Sequence, residues 1–77
     1  MDEWLERQVD ALASAAGVPR EELELSADEI DLLLDVAGHA AHASGARTNA
    51  PLLCYLLGRA GRSKGLDELV EIVRSTS

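Results

Sequence analysis

The 77-residue chain carries 14 acidic and 7 basic side chains, a formal net charge of −7, which opposes the counterion release that drives nucleic-acid binding. Trp4 and Tyr55 are its only aromatic residues, too few to form a stacking platform for bases. No apolar run approaches the ~18–20 residues of a membrane span, and a lone cysteine, Cys54, excludes an intramolecular disulfide. A chain this short reads as one helical domain, residues 1–77, and buries only about 60% of its unfolded surface. Twelve alanines and no phenylalanine thin the core further, because alanine adds helix propensity but little buried area. Such a core invites marginal stability or a homodimer interface. The reduced cysteine fits a reducing compartment, and Met1-Asp-Glu-Trp lacks the basic start of a signal peptide, so a cytoplasmic protein is expected.

Helical period dominates, and no strand alternation occurs. The first helix is expected from about Asp2 to Ala16, with Leu5, Val9, Leu12 and Ala16 at helical spacing and Gly17 as its stop. Val18 to Leu25 is a connector in which Pro19 can start one helical turn. Ser26-Ala-Asp-Glu29 reads as a capping box opening a second helix to about Ala43. Its stripe is Ile30, Leu33, Leu34, Ala37 and Ala41, widened by Leu32 and Val36.

Ser44-Gly45 breaks that helix. Asn49 is the expected N-cap of a third, with Pro51 in its first turn. Leu52, Leu53, Leu56 and Leu57 follow, and the helix ends near Gly61. After the Gly61–Gly65 loop, a fourth helix from about Leu66 to Ser75 places Leu66, Leu69, Val70 and Val73 on one side. Short links between amphipathic helices predict an all-α fold, a compact bundle of about four short antiparallel helices.

Charge is unevenly spread along this bundle. Residues 1–35 hold eleven acids and two bases, a net −9, whereas residues 36–77 hold three acids and five bases, a net +2. No carboxylate falls between Asp35 and Asp67, while Arg47, Arg59, Arg62 and Lys64 all do. Arg47, Thr48 and Asn49 precede the third helix, where free amides and the helix dipole favour a phosphate or carboxylate. Arg59 and Lys64 read equally as caps of helix C-termini that pair with the acidic first half.

Two other clusters could carry chemistry. His39 and His42, three apart, together with Cys54 supply zinc-type donors. Against that stand the single cysteine, its apolar Leu-Leu-Cys-Tyr-Leu-Leu setting and the absence of any neighbour that would activate the thiol. Asp31, Asp35, His39 and His42 form a ladder in which Asp35 and His39 stand four apart. That spacing suits a general acid–base pair, but also an ordinary surface pair. No phosphate loop or nucleophile elbow completes an active site, so neither catalysis nor a cofactor is expected.

Trp4-Leu5, Leu33-Leu34-Asp35-Val36-Ala37 with Ala41-His42, and Arg47…Ala50-Pro51-Leu52…Leu56-Leu57-Gly58 together resemble a small bacterial all-helical domain family of unknown function. That family occurs alone or associated with the guanylyltransferase that makes molybdopterin guanine dinucleotide. The resemblance covers Trp4 to about Val73. It implies a role in molybdenum cofactor biosynthesis, a protein partner such as the molybdenum cofactor guanylyltransferase, and His42, Arg47 and Pro51 as site positions. Cys54-Tyr55 departs from the family pattern. Gly17-Val-Pro-Arg-Glu-Glu-Leu is also similar to acyl carrier proteins, but Ser26 lacks their Asp-Ser-Leu attachment motif and is better explained as a cap.

The reading is therefore an accessory or interaction domain. It would dock a protein partner or a phosphate-bearing ligand at the junction of the second and third helices through His42, Arg47, Thr48, Asn49 and Pro51. The alternatives are a metal-binding regulatory domain using His39, His42 and Cys54, or a plain homodimerisation module.

Overall fold

Residues 1–76 are described by the computed structural model. They form α1 (Glu3–Ala16), a single 3-10 turn (Arg20–Glu22), α2 (Ala27–Ser44), α3 (Asn49–Ala60) and α4 (Leu66–Thr76). No strand occurs among the described residues, so the fold is all-α as the periodicity predicts. No helix among the described residues is long and apolar enough to cross a membrane.

Local signals account for most helix ends. The Asp2 carboxylate accepts the Leu5 N–H at 2.8 Å, capping α1. Gly17 ends that helix in the left-handed region at φ 70°, which glycine reaches without a Cβ penalty. At α2 the capping box is complete: Glu29 N–H donates to Ser26 Oγ at 3.1 Å, and Ser26 N–H donates to Glu29 Oε1 at 2.8 Å. Gly45, at φ 69°, stops α2 in the same left-handed conformation.

The core belongs to α2, α3 and α4. Val36 is wholly buried, and Leu57, Leu69 and Val70 pack with it, flanked by Leu32, Leu33, Leu53, Leu66 and Val73. The α4 stripe expected from sequence is thus the one that packs. On α2 the line of burial runs through Val36 and Ala40, one step round from the expected stripe, and Leu34 faces solvent at 69% exposure. The α2 and α3 backbones make the most extensive approach, and α4 lies against both.

The first helix is arranged differently from its expected place in the bundle. Among the described helical elements its backbone approaches only the Arg20–Glu22 turn, and it supplies no residue to the core cluster. Val9 and Ala13 are buried, whereas Leu5 and Leu12 of the expected stripe are exposed. Arg20 holds α1 in place: its guanidinium donates to Glu6 and Asp10 of α1 and to Glu24 in the connector. Glu6, Asp10 and Ala13 share a helix face by their spacing, so the polar clamp lies beside the buried pair.

Candidate functional site

An open groove of about 440 Å³ runs between α2, α3 and α4. Ala40, Leu53 and Val73 are its more sheltered wall residues, and Leu52, Leu56 and Ile72 are its exposed ones. His39, Ser44, Asn49 and Thr76 supply polar atoms, and among the described residues no Asp, Glu, Lys or Arg lines it. The groove forms because α3 is apolar on more than one side. At about 100° per residue, Leu53 and Leu57 turn towards the core while Leu52 and Leu56 are left outward.

The outward stripe of α3 continues beyond the groove. Leu52, Tyr55, Leu56 and Arg59 are spaced i, i+3, i+4 and i+7, so they share one face. The Arg59 guanidinium lies 5.9 Å from the centroid of the Tyr55 ring, within cation–π range. A basic group is therefore held beside an apolar strip.

Of the junction residues selected from sequence, only Asn49 lines the same groove among the described residues. Ser44 and Asn49 line it, and the loop joining them carries Arg47 and Thr48. His42, Arg47, Thr48 and Pro51 are all exposed. Arg47 enters no ion pair among the described residues.

Asn49 is not the cap of α3. It is the first helical residue, and Thr48 occupies the cap position without a side-chain cap bond. Thr48 already has near-helical angles, φ −65° and ψ −19°, unlike the extended backbone that aims a capping oxygen at the first amides. Instead, Asn49 N–H donates to Ala46 O at 3.1 Å and Ala50 N–H to Arg47 O at 3.2 Å. Pro51 has no N–H to give. The first turn of α3 consequently has its amides committed or missing, and an anion there would meet the Arg47 side chain rather than a ring of backbone donors.

The zinc-type set is not assembled. His39 lines the groove, His42 is exposed, and Cys54 lines a separate cleft of about 520 Å³ on the far side of α3. Cys54 lies about 200° around α3 from Leu52, which separates it from the groove. Among the described residues no group of three His, Cys, Asp or Glu side chains is placed to hold a metal ion.

The expected pairing of Arg59 and Lys64 with the acidic first half does not form. Lys64 pairs with Glu68 at 3.4 Å on its own side of the chain, and Arg59 covers Tyr55. Glu6, Asp10 and Glu24 are engaged by Arg20 instead, and Asp35 by Arg74. The ladder through Asp35 thus ties α2 to α4.

Fold and surface define a small all-α domain with an uncharged apolar groove bordered by a basic loop. A family model for the DUF6457 domain of unknown function matches residues 1–76, and the chain belongs to that family. No curated protein and no solved structure is matched by the chain.

Proposed function

We propose that this domain is a non-catalytic docking module for a protein partner. Its working surface is the groove between α2, α3 and α4, together with the α2–α3 junction that borders it. The observation that carries this reading is the groove itself: Leu52, Leu56 and Ile72 are left exposed around a trough that no Asp, Glu, Lys or Arg among the described residues lines. An amphipathic helix presenting apolar anchors at i, i+3, i+4 and i+7 is the kind of partner such a trough accepts.

The commitment of the α3 amides to Ala46 and Arg47 carbonyls favours a protein over a free phosphate ligand. Arg47 is then a contact at the edge of the docking surface rather than the base of an anion cradle. The resemblance drawn from the sequence makes the molybdenum cofactor guanylyltransferase the first partner to test, with His42, Thr48, Asn49 and Pro51 beside Arg47 at the contact.

Native mass spectrometry of untagged protein, with and without that enzyme and guanine nucleotide, tests the reading. A complex is expected, weakened at least about ten-fold by Leu52→Glu, since one anchor at an interface centre carries that much affinity. Arg47→Ala should weaken it less, with the circular dichroism spectrum unchanged for both variants. Equal binding by wild type and both variants would remove the groove and junction from the function.

A further inference from the structure

The cleft on the far side of α3 from the groove carries chemistry that the docking reading leaves unused. At about 520 Å³ it falls within the roughly 300–1,000 Å³ of small-molecule sites. Its floor is apolar: Leu57 and Leu69 are buried, with Leu33 and Leu66 half-buried beside them.

Its two rims differ in sign. Glu22 and Glu24 of the connector and Glu29 in the first turn of α2 supply one rim, and Arg62 and Lys64 of the α3–α4 loop supply the other. The rims stand apart: the backbone of the Arg20–Glu22 turn approaches neither α3 nor α4. Among the described residues no ion pair spans them.

Not all of these charges are available. Arg20 engages Glu24, the Ser26 N–H donates to one oxygen of Glu29, and Lys64 pairs with Glu68 at 3.4 Å. Glu22 and Arg62 enter no ion pair among the described residues. One carboxylate and one guanidinium, on opposite rims, are left over a floor of leucine side chains.

Charge selects the class of ligand. A simple anion drawn to Arg62 would also face Glu22 and Glu29, and a simple cation drawn to Glu22 would also face Arg62 and Lys64. Like charges brought together in this way work against both. A molecule with an ammonium at one end, a carboxylate at the other and an apolar body between them meets each rim with the opposite sign. The planar guanidinium fork suits the two oxygens of a carboxylate, and the apolar body gains by covering the floor.

We infer that this cleft is a binding site for a small apolar zwitterion, a free apolar amino acid or a short apolar peptide. Arg62 holds its carboxylate, with Lys64 adding to the field, and Glu22 holds its ammonium. The cleft and the groove share no lining residue, so the assignment stands or falls independently of the docking reading.

The test is an NMR titration of the untagged, nitrogen-15-labelled full chain with leucine, leucyl-leucine and leucyl-alanyl-leucine. Gly58, Gly61 and Gly65 line the cleft, and their amides should shift, whereas Gly38 and Gly45 lie outside it and should not. Half-saturation is expected at about 1 mM or below for at least one of the three, and the ligand that binds tightest decides between amino acid and peptide. Acetylating the amine or amidating the carboxylate of that ligand should each weaken binding at least about ten-fold, as loss of a charge-assisted contact does. Glu22→Gln and Arg62→Gln, both at exposed positions, should do the same with an unchanged circular dichroism spectrum. Absence of shifts at the three cleft glycines up to about 10 mM ligand overturns the inference, as does equal binding of the blocked forms. If blocking the carboxylate weakens binding but blocking the amine does not, the cleft is a plain anion site and the zwitterion assignment fails.

Discussion

The Arg74 guanidinium, in the last turn of α4, donates to the Asp35 carboxylate of α2 across 39 positions of sequence. This ion pair joins the two oppositely charged halves of the chain at the helix that closes the core. Both side chains are partly in solvent, so the pair contributes no more than about 1 kcal/mol. Asp35→Asn should lower urea-unfolding stability by that amount or less. The difference from wild type should shrink in high salt, as screening removes an exposed attraction. An equal loss at all salt concentrations would show that Asp35 acts through something other than charge.

Arg20 has three carboxylate partners, two of them on α1. Arg20→Ala would leave Glu6 and Asp10 facing each other without their shared cation and free α1 from the connector. Amide hydrogen exchange in α1 should accelerate while that of Val36 and Ala40 in α2 stays close to wild type. Equal acceleration in both helices would mean that α1 and the core open together.

Helix α2 provides a paired test within one element. Val36 is wholly buried and Leu34 is 69% exposed. Val36→Ala should cost about 2 kcal/mol, combining lost transfer energy with a cavity. Leu34→Ala should fall within about 0.5 kcal/mol of wild type, as surface substitutions do. Comparable losses at the two positions would require α2 to be rotated from the orientation described.

Removing the Ser26 hydroxyl removes one arm of the capping box. Ser26→Ala should cost about 1 kcal/mol, and Ser26→Gly only a few tenths. Thermal or urea unfolding reads both directly. Thr48→Ala should be close to neutral by comparison, because Thr48 makes no side-chain cap bond.

Much of this architecture is legible in the sequence, for physical reasons that can be named. Ser26 and Glu29 are three residues apart before an apolar run, and only a capping box uses both. Leu66, Leu69, Val70 and Val73 keep one helical face and accordingly enter the core. The position of α1 is not legible, because periodicity reveals which side of a helix is apolar but not what that side meets. Asn49 misleads for a related reason: its type suits a cap, yet the turn from Ala46 already satisfies the first amides. The groove lies between these cases. The leucines at 52, 53, 56 and 57 show a broad apolar side of α3, but their spacing does not say which pair enters the core, and only the structure leaves Leu52 and Leu56 outward.

The dominance of the α2–α3 contact has a kinetic consequence. These helices are neighbours in sequence, joined by the four-residue stretch Gly45–Thr48, so their docking closes only a short loop and incurs little chain entropy. A topology weighted towards such local contacts belongs with the helical domains that fold in microseconds to milliseconds. The α2–α3 hairpin is accordingly expected to form first, with α4 completing the cluster around Val36. Substitutions at Leu57, on the hairpin, should chiefly slow folding, whereas those at Val70 or Arg74 should chiefly speed unfolding.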